Sequence, residues 1–158
     1  MILLTSNTKA QFSVDEDDYP KILQHNHIFT ENHKGGIQLF SKVLGRTIVL
    51  ARLILNIPLD DGKNVDHIDG NKKNNTKNNL RIASLSQNQW NRKKNTNSTS
   101  RFKGVHWSKA DKRWKASIRV NSKPYHLGLF NVEQEAAEAY NKAALKHFGE
   151  FAYINTLS

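Results

Sequence analysis

Four side chains in one polar stretch could do chemistry together: Asp66, His67, Asn79 twelve positions after the histidine, and Asn88 nine positions further on. A carboxylate and an amide carbonyl are hard oxygen donors, which suit Mg²⁺ or Mn²⁺. An imidazole with an ordinary pKa near ~6.5 accepts a proton at neutral pH. Phosphodiester hydrolysis asks for both, a cation to neutralise charge developing on the leaving oxygen and a base to take a proton from water. Neither half is telling alone. An Asp-His pair is more often a local hydrogen bond, and an asparagine run is more often loop chemistry; the combined spacing sets these residues apart. The contiguous His25-Asn26-His27 is not such a spaced set, and both of its histidines read as ordinary surface or core residues.

Three short elements must bring the four together. Pro58 and Asp60-Asp61-Gly62 turn the chain into Asn64-Val65-Asp66-His67, a strand ending at the histidine. Asp69-Gly70 is a turn, Asn71, Asn74, Asn75 and Asn78 read as loop or phosphate-contacting residues, and Asn79 leads into a second strand, NLRIAS. Ser84 or Ser86 can cap a helix running to about Lys94, with Asn88 in its first turn. Upstream, VDEDD reads as a solvated acidic turn. IQLF and RTIVLARLIL are β-rich runs separated by Leu44-Gly45, with an earlier reversal at Gly35-Gly36, so a small sheet should precede a short helix or strand through Leu55.

The stretch VDHIDGNKKNNTKNNLRIASLSQNQWN, residues 65–91, resembles the H-N-H (ββα-metal) endonucleases, most closely the phage and intron homing enzymes. VDEDDYPKILQHN and TIVLARLILN are similar to the region that precedes the motif in those proteins, so the resemblance covers roughly residues 12–92. It implies His67 as general base, Asp66 and Asn88 as ligands of one divalent ion, Mg²⁺ with Mn²⁺ as the alternative, and Asn79 as the amide that fixes the loop and aims His67. Many members have histidine where this chain has Asn88, a variant found in the homing branch; many also have a histidine before the arginine of Leu50-Ala51-Arg52. Arg52 could still hold a phosphate.

The polar segment KKNTNSTS has nothing apolar to bury and reads as a linker. The expected organisation is a nuclease domain at 1–95 with its ββα core at about 62–94, a linker at 96–100 and a second domain at 101–158. In RWKASIRV, Trp114, Ala116, Ile118 and Val120 share one strand face, and Arg113, Lys115, Ser117 and Arg119 share the other. KPYHLGLF supplies a further strand. A helix follows with Asn131 as expected N-cap and Gln134 three residues on, Glu133 and Glu135 in the first turn, Lys146 and His147 in the last, and Gly149 after it. Its apolar stripe is Ala136, Ala137, Tyr140, Ala144 and Phe148.

This segment resembles the plant ethylene-response (Apetala-two) DNA-binding domain over residues 101–155, through KGV, WKASIR, LGLF, AAEAY and the terminal FGEFAYIN. The resemblance implies three antiparallel strands backed by one helix, with the open face in the DNA major groove. The implied contacts are Lys103, His106, Arg113, Lys115, Ser117 and Arg119, with Lys123 and Tyr125 on the third strand. Lys103 and His106 stand where plant members usually have arginine, and lysine lacks the planar fork, so base specificity should differ. Trp114, Ile118, Leu127, Phe130, Tyr140 and Phe148 read as core.

The totals agree with a polyanionic partner. The formal net charge is +10, and residues 62–123 carry 16 basic against 3 acidic side chains, whereas residues 1–61 carry 6 and 7. At 37% hydrophobic and 24% charged, the composition is that of a folded globular chain. No apolar run is long enough to span a bilayer, and Met1–Leu4 is too short for a secretory signal, so a cytoplasmic location is expected, inside a bacterial host if the gene is a phage's. Cysteine is absent, which excludes disulfides and thiol chemistry. The expectation is an α+β protein acting as a metal-dependent homing-type endonuclease on double-stranded DNA. A monomer, or two chains pairing on DNA, would serve. A DNA-binding regulator using the H-N-H unit as a scaffold is the alternative, and an RNA binder is disfavoured by the buried phase of Trp114 and Ile118.

Overall fold

The computed structural model of the protein describes residues 1–58, 61–94 and 98–157. The chain forms two compact units, Met1–Asn88 and Gln89–Ser158. The expected boundary at residues 95 and 96, residues 96 and 97 of the expected linker and Asp60 of the expected turn lie outside the described residues.

In the first unit β1 (Ile2–Leu4) and β2 (Gln11–Ser13) form an antiparallel hairpin, followed by a 3₁₀ turn at Glu16–Asp18 and α1 (Tyr19–Leu23). Strands β3 (His27–Glu31), β4 (Ile37–Ser41) and β5 (Arg46–Val49) make an antiparallel sheet in that order. Gly35, at φ +77°, supplies the left-handed backbone of the β3–β4 reversal. Alternation in IQLFS buries Ile37 and Leu39 and exposes Phe40, as a half-buried strand requires. Helix α2 (Leu50–Ile54) buries Leu50, Ala51 and Ile54.

Two antiparallel strands, β6 (Asn64–His67) and β7 (Leu80–Ala83), then lead into α3 (Leu85–Asn91), which ends before the expected Lys94. Ser84 and Gln87 cap α3 reciprocally: the Gln87 N–H donates to Ser84 Oγ at 3.2 Å, and the Ser84 N–H to Gln87 Oε1 at 2.7 Å. One core joins Phe12, Ile22, Phe29, Leu39, Leu50 and Ile54, and Leu80 and Val65 pack into it. Burial of Leu80 contributes about 1.5–3 kcal/mol and, with the partly buried Val65, fastens the β6–β7 hairpin to this core.

The acidic segment departs in part from the expected solvated turn. Asp18 is 1% exposed and pairs with Lys77 at 2.9 Å and Lys21 at 3.9 Å, while Asp15 Oδ2 accepts the Lys77 backbone N–H at 2.7 Å. Glu16 and Asp17 stay exposed, as a solvated turn requires; it is Lys77, far away in sequence, that pairs with the buried Asp18, which local sequence could not reveal.

The second unit is a three-stranded antiparallel sheet, β8 (Val105–Ser108), β9 (Arg113–Val120) and β10 (Lys123–Phe130), with β9 central. Helix α4 (Glu133–Phe148) lies against it through Ala136, Ala137, Tyr140, Ala144 and Phe148. Its N-cap is Val132 in extended conformation with no side-chain cap bond, not the expected Asn131. Glu133 in the first turn instead accepts the Ser100 hydroxyl at 2.6 Å. Ser100, placed in the expected linker, is thereby buried at 2% exposure. The protein is α+β, with small antiparallel sheets and a C-terminal three-stranded sheet packed on one helix. Among the described residues no helix is long and apolar enough to cross a membrane.

Candidate active site and nucleic-acid interface

Cross-strand register assembles the first half of the site. Asp66 of β6 stands opposite Arg81 of β7, and His67 opposite Leu80. Asp66 is 7% exposed, and Arg81 donates to its Oδ2 from Nε at 2.9 Å and from Nη2 at 2.7 Å. Arg81 was not singled out from sequence; the register of the hairpin was the signal that would have found it.

The loop between the strands accounts for most of the asparagines. Asp69 accepts hydrogen bonds from the Asn71 N–H at 2.7 Å, from Asn74 Nδ2 at 2.9 Å and from Asn79 Nδ2 at 2.9 Å. Burial acts to raise the Asp69 carboxyl, but these donors and the nearby His67 outweigh it and hold the group below its ordinary value. Asn79, 7% exposed, also donates to the Asn74 carbonyl at 2.8 Å and accepts the Asp69 N–H at 3.0 Å. Its own carbonyl takes the Ile68 N–H at 2.9 Å, so it pins both ends of the loop beginning at His67. The loop is clamped from outside as well: the Ser13 N–H donates to the Lys73 carbonyl at 2.8 Å and the Asn75 N–H to the Ser13 carbonyl at 2.9 Å.

His67 Nε2 lies 3.2 Å from Oδ1 of Asn75, which is 1% exposed. Burial is the largest influence on the imidazole and lowers its pKa; the Asn75 bond and the charges of Asp69 and Asp66 oppose it without cancelling it. A neutral ring at physiological pH is the form that accepts a proton.

Asn88 completes the set from α3. Its Nδ2 donates to the carbonyl of Val65, the residue before Asp66, at 3.5 Å, and its Oδ1 is buried with no hydrogen-bond partner. An orphaned amide oxygen is costly, about 1–3 kcal/mol, and is the donor type that a hard divalent ion accepts. Among the described residues no group of three or more His, Cys, Asp or Glu could hold a metal. The donors present, one carboxylate and one amide oxygen, fit Mg²⁺, which keeps much of its water shell and takes only one or two protein ligands.

Arg52 is placed differently from the expected phosphate contact. Its guanidinium donates to Asp61 Oδ1 at 2.8 Å and to the carbonyls of Pro58 and Lys63, closing the connection from α2 to β6. The acidic residue and turn carbonyls nearby claim its fork.

In the second unit the pairing sorts the expected DNA contacts. His106 stands beside Lys115, and Ser108 beside Arg113, on β8 and β9; Arg119 stands beside Pro124 and Ser117 beside His126 on β9 and β10. His106, Arg113, Lys115, Ser117 and Arg119 therefore share the face away from α4, and His126, which sequence reading missed, joins them. Lys123 and Tyr125 pair with Val120 and Ile118 and so belong to the helix side. Tyr125 accordingly stacks on His147 of α4, with ring centroids 6.3 Å apart. Lys103 is half-buried rather than on the open face, its Nζ donating to the Trp90 carbonyl at 2.6 Å.

A two-stranded hairpin that carries Asp66 and His67 and runs into a helix carrying Asn88 belongs to a known class: residues 56–90 match the family model described as HNH endonuclease, so the chain carries an HNH nuclease domain. It is 34% identical over 97 residues to Protein 3.8 of Escherichia phage T7, covering 61% of this chain and 79% of the phage protein, and it belongs to the same family as that protein. It is 40% identical over 93 residues to an uncharacterized HNH endonuclease of Acanthamoeba polyphaga mimivirus, covering 59% of this chain but only 47% of that relative's length. No solved structure matches.

Proposed function

We propose that the protein is a metal-dependent DNA endonuclease of the homing type, working inside the cell on duplex DNA. Asp66 and Asn88 would hold one divalent ion, Mg²⁺ in preference to Mn²⁺. When bound, that ion supplies positive charge against the scissile phosphate and the leaving oxygen. His67 takes a proton from the attacking water, and Asn79 keeps the loop that carries it in place. The open face of the second unit, His106, Arg113, Lys115, Ser117, Arg119 and His126, binds the duplex as an Apetala-two-like module, with nuclease at 1–95 and binding domain at 101–158. One site per chain makes nicking by a monomer the simplest outcome.

The observation that carries this reading is the buried, unpartnered Oδ1 of Asn88, whose Nδ2 reaches the carbonyl of Val65, the residue before Asp66. A second reading, a DNA-binding regulator with the HNH unit as scaffold, draws on the Arg81–Asp66 pair, which already neutralises the carboxylate. Duplex DNA labelled on each strand in turn and incubated with Mg²⁺ or with EDTA separates the two. Cleavage with Mg²⁺ alone, lost in His67→Ala by about 10²–10⁴-fold while DNA affinity is kept, is the expected result. Absence of Mg²⁺-dependent products, or equal loss of binding and cleavage in the variant, would sink the nuclease reading.

A further inference from the structure

A cleft of about 470 Å³ opens within the second unit, lined by Arg92, Lys93, Lys94 and Lys103, with His106 and Ser117 along one side. Those last two residues also belong to the basic face of the sheet, so the cleft is continuous with that face. No Asp or Glu is among its described lining residues. Arg92 and Lys93 are exposed, whereas Lys94 and Lys103 are half-buried and held by the carbonyls of Ser100 at 2.8 Å and Trp90 at 2.6 Å. Each ammonium has three donors, and neither carbonyl brings a full negative charge. Burial, then the charge of Arg92, pushes the Lys103 ammonium down to about 8.

We propose that this cleft receives a backbone phosphodiester of the DNA strand lying on the adjoining sheet face, with Arg92 and Lys93 as its main contacts and Lys94 and Lys103 beside it. The inference rests on the reading of the second unit as a DNA-binding module. The planar guanidinium of Arg92 suits a phosphate held by two bonds, and the lysines add charge without geometric demand. None of these contacts reads a base, so the cleft contributes affinity and register and leaves sequence preference to the sheet.

The test is duplex binding by the full chain in EDTA, across a salt series, for the wild type, for Arg92→Ala/Lys93→Ala and for Arg113→Ala/Arg119→Ala. Loss of the main contacts to that one phosphate should make the slope of log affinity against log salt shallower by about one unit, with the melting temperature unchanged because both side chains are exposed. If the wild type does not bind DNA, the binding-module reading fails and the cleft assignment with it. If the sheet variant weakens binding but the cleft variant keeps wild-type affinity and slope, the cleft assignment alone is overturned. Inorganic phosphate supplies the remaining arm: saturable chemical-shift changes around Lys103 that vanish in the cleft variant, with no change in its DNA slope, would mark a free-anion site and also overturn it.

Discussion

His67 Nε2 and Asn75 Oδ1 are 3.2 Å apart, and the other end of the same amide donates from Nδ2 to the Lys72 carbonyl at 3.3 Å. The second bond fixes which way the amide points, so Oδ1 can only accept and Nε2 must carry the hydrogen. The basic lone pair is then on Nδ1. Asn75→Ala should lower turnover by about 10–100-fold, the usual size for a partner that orients a working histidine, with DNA affinity unchanged. Asn75→Asp keeps an acceptor and should retain most activity, while nitrogen NMR of His67 reports the loss of the single tautomer in the alanine variant alone. Equal damage in both variants would mean that Asn75 serves packing only.

Asn88 separates stability from metal binding. Asn88→Leu keeps the branched shape, removes the buried oxygen that lacks a partner and gives up the long Nδ2 bond to the Val65 carbonyl, so thermal melting in EDTA should show a net change within about 1 kcal/mol. The Mg²⁺ concentration needed for half-maximal cleavage should rise at least about tenfold. Unchanged Mg²⁺ dependence would remove Asn88 from the ligand set.

Lys103 makes stability depend on pH in a defined direction. Its folded pKa, about 8, lies below the unfolded value, so between pH 8 and about 10.4 the unfolded chain holds the extra proton and stability rises with pH. Below 8 both states are charged and the full burial penalty stands. Urea denaturation of wild type and Lys103→Met should therefore show an advantage for the variant at pH 7 that shrinks towards pH 10. A constant gap would contradict the buried charge.

Gly104 sits at φ +77°, and a Cβ there would lie 2.0 Å from Cδ2 of Tyr140 and 2.7 Å from the Ser117 carbonyl oxygen. Gly104→Ala should destabilise the second unit by more than about 1–3 kcal/mol, seen as a lower melting temperature and weaker DNA binding. The Lys103-Gly104-Val105 motif is thus demanded by packing: Asn155 clamps the Lys103 backbone N–H at 2.7 Å and its carbonyl at 3.1 Å, leaving no room for retreat.

Much of the fold was legible because its signals are local. Alternation in RWKASIRV, the reversal at Gly35-Gly36 and a capping serine at 84 or 86 each act within a few residues, and β9, the β3–β4 hairpin and the start of α3 follow from them; the choice of Ser84 and its pairing with Gln87 came only with the structure. The position of α4's first residue was less legible, since Glu133 binds Ser100 in place of a local cap.

The candidate site divides along the same line. Sequence alone determined which side chains could act, because Asp66, His67, Asn79 and Asn88 declare their chemistry by type and spacing. It also determined the basic phase of β9, since strand alternation needs no partner. Only the tertiary structure decided that Asp66 is held by Arg81, that Asn75 sets the His67 ring, that Asp18 is buried under Lys77, and that His126 replaces Tyr125 on the open face. Each of those depends on strand register or on contacts between distant segments, and a hydrogen bond or ion pair forms only where folding has brought the second group.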